Sequence, residues 1–530
     1  MHKDAARRTP RKEMLAGLVS AVAIVAMAGA VVAAASVVPQ PAGSRSIPAV
    51  LAAVPAGANT GVCPGPARLL EGTEAGTDPQ FSPESATAKS TVTGAVLSAP
   101  GGVLPGSLLS ALNGTPAVEI AKEGGQPSQS SGPQDLRAGV IAGHNVDNAT
   151  LLSAQAQAGQ KPSAAAVMKF TATDGDLQGS AAANCLPPAN DLWLSGASTT
   201  VGRTSVLVLS NASSTPATVS LELFGGKGQI QAPGSRGLLV APGSTRSVVL
   251  AGLAPGEAQL TVHVRSAGGP VAAAIQQSVL RGLTPGGVDF IVPGAAPSAR
   301  QVMTGVDIQD AGGISAITGK SGFKDAGPAL ALTVPGSSDA VVEVKLFGRD
   351  GQKALPGGGV VTAKAGAVTE ISLAGVPAGQ YTVSTGSDVS FVAAVRVTRG
   401  LTSDKASDVA WAASGVRLGS QHVVPVPQGG DRTLVFGVLE NRATVSYAAV
   451  TAEGKIHATA TADIAGGTTT SIKVPQQADG SDVVAYIVSA SGDAAYGALL
   501  LGQEGRDDVS TLALMPAASG QEKVAVSLGY

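Results

Sequence analysis

"RTSVLVLSNASSTPATVSLELFGGKGQ" at residues 203–229 is the stretch on which the fold turns: an apolar strand, a Ser/Thr/Pro turn, an alternating strand and a Gly-rich turn. Two later passages repeat it, "GPALALTVPGSSDAVVEVKLFGRDGQ" at 327–352 and "RTLVFGVLENRATVSYAAVTAEGK" at 432–455. The separations Ala217 to Gly228, Ala340 to Gly351 and Ala443 to Gly454 are all 11 residues. Each passage runs on into a turn and strand ("APGSTRSVVLAGL", "AKAGAVTEISLAGV", "IAGGTTTSIKV") and then into two further strands. Self-similarity at this period means a row or a ring of like domains.

A second signature punctuates the copies. "VDFIVP" at 288–293, "DVAWAAS" at 408–414 and "DDVSTLALMP" at 507–516 read as siblings of "DLWLSG" at 191–196, each an acid followed by an apolar run. Taken as the opening motif of a unit, they predict β units over 191–287, 288–407 and 408–530. "LLSAQAQAGQKPSAAAVMKF" at 151–170 resembles the closing strand pair of a unit, so 63–190 reads as a diverged first copy. The final "EKVAVSLGY" at 522–530 is an orphan strand, expected either to complete the last unit or to return to the first and close a ring. With about seven short strands per hundred residues, the fold class expected is an all-β ectodomain of tandem immunoglobulin-like β-sandwiches, the alternative being a β-propeller-like closed ring. Trp193, Phe290 and Trp411 are expected to fill cores otherwise poor in aromatics, which make up 3% of the chain.

The N-terminus reads as a targeting segment. Residues 1–13 carry five cations against two acids, and 14–38, "MLAGLVSAVAIVAMAGAVVAAASVV", hold no charge. As a helix those 25 residues would extend roughly 37 Å, enough for a bilayer core with some tilt. The basic flank keeps the N-terminus in the cytoplasm and places everything beyond the span outside. An uncleaved transmembrane anchor is expected, with a cleaved signal peptide as the alternative, given the small residues of "AAAS". Residues 39–62, rich in Pro, Ala and Gly, form the expected stalk. Cys63 and Cys185 are the chain's two cysteines, and beyond the span they are expected to form one disulfide.

"DLWLSGASTTVGRTSVLVLSNAS" resembles the start of a repeat unit common in exported proteins of Gram-positive and related bacteria. The layout as a whole resembles an uncharacterised domain-of-unknown-function family of single-span envelope proteins from high-GC Gram-positive bacteria. That resemblance implies a cell-envelope location and supplies no catalytic residue. Where the repeat has Asn-Pro this chain has Asn211-Ala212, Val334-Pro335 and Glu440-Asn441, so the later copies rest on internal comparison.

No Gly-x-Ser-x-Gly elbow occurs, and His2, His144, His263, His422 and His457 fit no metal-ligand spacing. His263, in "LTVHVRS", is expected on a solvent-facing strand position. "GISAITGKS" at 313–321 has five residues between Gly313 and Gly319 where a phosphate loop has four, so no nucleotide is expected. Asp174 and Asp176 in "TATDGDLQGS" make a fragment of a calcium loop and read as turn formers. Three Asn-x-Ser/Thr sites, at Asn113, Asn148 and Asn211, read as coincidental in a bacterial setting. A net charge of -2 without a basic stripe argues against nucleic acid. The chain reads as a non-catalytic, membrane-anchored structural or binding protein without cofactor or metal, whose partners are the membrane and envelope proteins or cell-wall glycans. The alternatives are an envelope enzyme acting on glycans through paired carboxylates, and an accessory subunit of an envelope-biosynthesis complex.

Overall fold

The computed structural model describes residues 50–54, 56–70, 84–122, 136–157, 160–503, 505–516 and 522–526. The expected basic N-terminus 1–13, the span 14–38 and most of the stalk lie outside them. Among the described residues no helix is long and apolar enough to cross a membrane. The chain divides into a small unit, Met1–Val54 with Glu522–Tyr530, and a large one, Pro55–Gln521. In the small unit Val50–Val54 pairs antiparallel with Glu522–Val526, Val50 opposite Val526 and Val54 opposite Glu522. The orphan C-terminal strand therefore joins neither the last β unit nor the first. Its partner is "VLAAV", an apolar run of one strand's length that the stalk composition concealed.

Within Pro55–Gln521 one eight-strand plan recurs four times. The second copy shows it whole. One antiparallel sheet runs Asp191–Ala197, Leu260–Gly268, Ala217–Gly225, Gly228–Ile230; the other runs Ser244–Val249, Arg203–Asn211, Ala272–Arg281, Thr284–Ile291. Leaving out the short side strand Leu238–Val240, which also pairs with Ala217–Gly225, these are in chain order strands 1-6-3-4 and 5-2-7-8, and on the same count the other three copies have the same two orders. In the third copy a single 21-residue strand, Gly379–Arg399, passes from one sheet to the other and serves as sixth and seventh strand together. Thr, Val, Leu and Ile in alternation supply the strands, and the residues buried between the two sheets of the second copy include Leu194, Leu207, Leu209, Leu221, Val262 and Ile275.

Hydrogen bonding corrects the expected boundaries. Thr284–Ile291, which contains "VDFI", pairs with Ala272–Arg281 and so closes the second copy. Asp408–Ala413 closes the third and Val509–Ala513 the fourth in the same way. The boundaries at 288 and 408 therefore fall one strand early. "DLWLSG" is no sibling of these: Asp191–Ala197 is a first strand, paired with Leu260–Gly268. The true counterpart in the first copy is Gly179–Asn184, "GSAAAN", which has neither acid nor aromatic.

The four closing strands explain the motif. They touch one another in cyclic order, first to second, second to third, third to fourth and fourth back to first, so the four copies close a ring. Asp408 sits where they converge. Its Oδ1 accepts from the amides of Val288 (3.1 Å) and Val409 (3.0 Å), and its Oδ2 from those of Ser180 (3.0 Å) and Val509 (3.0 Å). One carboxylate thus receives an N–H from each copy. Gly287, at φ 108°, permits this, because a Cβ there would lie 2.6 Å from the Asp408 Cα. Asp408 is thus a buried hub.

The aromatics of the motif also work across copies. Phe290 belongs to the core of the first copy and Trp411 to that of the second. Val435, Leu500 and Val509 of the fourth copy enter the core of the third, and Val167 and Ala182 of the first enter that of the fourth. The 1-6-3-4 sheets of the second, third and fourth copies thereby pack against the next copy as well as against their own partner sheets. This overturns the solvent-facing expectation for His263. Its side chain is 8% exposed and stacks on Trp193 at 3.9 Å, with Nδ1 2.7 Å from Glu222 and Nε2 3.1 Å from Asp191. Alternation finds the outer face of a sheet, but at His263 and Trp193 that face is also buried. Cys63 and Cys185 are disulfide-bonded across a separation of 122 residues, tying the first and last strands of the first copy.

Candidate binding cleft between the second and third copies

What departs from the repeat is a better guide to function than the repeat itself. Between first and second strands the second copy has a five-residue loop, 198–202, whereas the third has residues 309–328. This insertion holds the helix Ala311–Thr318 and the 3-10 turn Lys324–Ala326. Asp310 caps the helix, its carboxylate accepting from the Gly313 amide at 2.8 Å. The passage "GISAITGKS" is thus helix and following turn, with Gly319 at φ −69° in ordinary helical conformation rather than in an anion-cradling loop.

The insertion forms one wall of a cleft of about 660 Å³ against the second copy. Four cations and two carboxylates line it: Arg203 and Arg281 from the second copy, Lys324, Asp325, Glu370 and Arg396 from the third. Arg203 grips Asp325 in a fork, Nε to Oδ2 at 2.9 Å and Nη2 to Oδ1 at 2.5 Å. Arg281 reaches the same Oδ1 at 3.2 Å while its guanidinium lies 5.1 Å from the centre of the Phe323 ring. Arg396 donates to Glu370 Oε2 at 3.1 Å and to the Gly327 carbonyl at 3.1 Å, and sits 5.8 Å from the Trp411 ring centre. Gln259 also donates to Glu370. Trp411 is fixed from behind, its Nε1 donating to Gln277 Oε1 at 3.2 Å and its amide to Asp289 at 2.7 Å. Gly196, at φ 125°, lies directly on the indole, where any Cβ would intrude into the ring.

The electrostatics are unbalanced. Burial works to raise the Asp325 carboxyl, but the Arg203 hydrogen bonds and the charges of Arg281, Arg203 and Arg396 outweigh it and hold it below the ordinary carboxylate range. For Arg281, burial and the charges of Arg203 and Arg396 disfavour the cation, and Asp325 alone supports it. The Arg281 side chain is 7% exposed and its Nε has no hydrogen-bond partner. Gln259 Oε1 is likewise buried and unpartnered. Such a site gains from an added anion.

Two carboxylates sharing a cleft raise the question of glycan hydrolysis. That chemistry requires one of the pair to stay protonated near neutral pH. Asp325 is pushed the opposite way, and Glu370 is engaged by both Arg396 and Gln259. Elsewhere, Asp174 accepts from Ser85, Thr87 and two amides that hold it well below its ordinary value, in a turn. Among the described residues no group of three or more His, Cys, Asp or Glu is placed to hold a metal ion. A larger groove of about 1020 Å³ lies between the first and second copies and borders Leu70, where a described stretch ends. Sequence reasoning missed the cleft because its charges, at 203, 281, 324, 325, 370 and 396, are scattered over two repeats. The insertion at 309–328 was the available signal.

No curated protein and no solved structure matches this chain. Residues 140–475, more than half of the chain and including every residue named in the cleft, match a family of unknown function. The chain is a member of that family, DUF5719.

Proposed function

We propose that the protein is a non-catalytic binding protein of the bacterial cell envelope, anchored by residues 14–38 and presenting its ring outside the membrane. The observation that carries the reading is the cleft: a preformed, cation-rich cavity in which both carboxylates are neutralised by arginine, suited to holding a ligand rather than to moving protons. The basic flank and uncharged run at 1–38 support the location, and the disulfide fits an oxidising compartment. Pairing of second with fifth and third with sixth strands supports reading each copy as an immunoglobulin-like variant whose seventh strand has changed sheets. The resemblance to single-span envelope proteins of high-GC Gram-positive bacteria points to the same place.

Replacing Ser338 by Cys at an exposed turn gives a topology probe. Labelling by a membrane-impermeant maleimide in intact cells is expected; labelling only after lysis would overturn the placement. A second reading, an envelope glycosidase, draws on Asp325 and Glu370 sharing the cleft. Turnover of a cell-wall glycan that disappears in Glu370→Gln would establish it over the first.

A further inference from the structure

Resting on the proposed binding role, we infer that the cleft takes an anionic glycan, a short saccharide whose acidic group meets Arg281, Arg396 and Lys324. Three observations converge on this class. First, cations outnumber carboxylates, and the carboxylates are already spent on Arg203, Arg281 and Arg396. Lys324 is exposed at the rim, and Arg281 is a nearly buried guanidinium with an unused donor. Second, the uncharged polar lining is Ser198, Thr200, Gln259 and Gln277, hydroxyls and carboxamides that both donate and accept, matching sugar hydroxyls. Gln259 keeps a buried oxygen without a donor, which a ligand hydroxyl would supply. Third, a cavity of about 660 Å³ is of the size that holds a small saccharide, and it is lined by glycine backbone at Gly196, Gly256 and Gly322, which lets a ring approach closely. An acidic peptide is the competing anionic ligand, and the triglutamate probe below separates it from a saccharide.

The insertion gives the site its asymmetry. Lys324 and Asp325 come from residues 309–328, for which the second and fourth copies have only five-residue loops, at 198–202 and 426–430. The third copy thus alters the shared scaffold at this seam, where the second and fourth copies keep the short loop.

The test uses the full-length protein in detergent micelles and isothermal titration calorimetry. The probes are trigalacturonate, its methyl ester, glucose 1-phosphate and a triglutamate peptide. Trigalacturonate is expected to bind saturably, with affinity falling as salt rises. Lys324→Glu at the exposed rim should weaken binding about tenfold, the scale of one charge-assisted contact. Lys227→Glu, an exposed control outside the cleft with the same change in net charge, should leave it unaltered. Glucose 1-phosphate binding tighter than trigalacturonate, with the same Lys324 dependence, would assign the anion to phosphate within the same class. Equal binding of the methyl ester would overturn the anionic class while leaving a glycan-binding cleft, and preference for triglutamate would overturn the glycan. Equal loss in Lys227→Glu would reduce the effect to general electrostatics and sink the site. Absence of binding to every probe, with Ser338→Cys still labelled outside, would remove the ligand without touching the location.

Discussion

Asp289→Asn isolates the thermodynamic consequence of burying an acid in the ring. Burial drives the Asp289 carboxyl from 3.8 up to about 8, opposed by the Trp411 and Phe290 amides. Between those two values the folded chain holds a proton that the unfolded chain has released, so stability falls as pH rises. Each pH unit is worth about 1.4 kcal/mol, and across the window the loss sums to about 6 kcal/mol as an upper figure. The contribution is fully present below pH 3.8 and lost above about 8. Asparagine retains an acceptor for the Trp411 amide, now 2.7 Å from Oδ2, and cannot ionise. The variant should therefore match the parent near pH 4 and become progressively more stable than it up to pH 8. The assay is the urea midpoint read by tryptophan fluorescence at several pH values, comparing slopes rather than single points, because Asp408 and Asp508 are also raised by burial and stay in both proteins. A variant whose stability parallels the parent's at every pH, or falls below it at pH 8, would refute the claim that Asp289 is buried protonated at neutral pH.

Three further outcomes follow from the packing. Asp408→Ala removes the acceptor of four amides, each orphaned donor costing about 1–3 kcal/mol, so the urea midpoint should drop by the equivalent of more than about 4 kcal/mol; a loss under about 1 kcal/mol would mean that the hub is hydrated. Gly196→Ala forces a side chain into the Trp411 ring at positive φ, and a loss of about 2–5 kcal/mol with altered near-ultraviolet dichroism is expected. Replacing both Cys63 and Cys185 by Ala should cost about 5 kcal/mol on the chain-entropy account of a crosslink spanning 122 residues, measured as the difference in urea midpoint between oxidised parent and variant.

The repeat was legible because each copy needs the same local events: a strand, a tight turn and an alternating strand at fixed spacing, all written in Gly, Pro and β-branched residues. The all-β class and the cysteine pair could be read from those local signals and from composition. The role of "VDFIVP" could not. Its pattern of acid, aromatic and apolar run is the same whether it opens a unit or closes one, and only the ladder to Ala272–Arg281 decides. The sequence by itself determined which segments become strands, since that depends on near neighbours along the chain. The tertiary structure alone decided that the strands of four copies meet at Asp408, that His263 is covered, and that charges from 203 to 396 gather in one cleft. Those outcomes depend on which sheet faces stack upon closure of the ring, a condition set by contacts over hundreds of residues that no local pattern records.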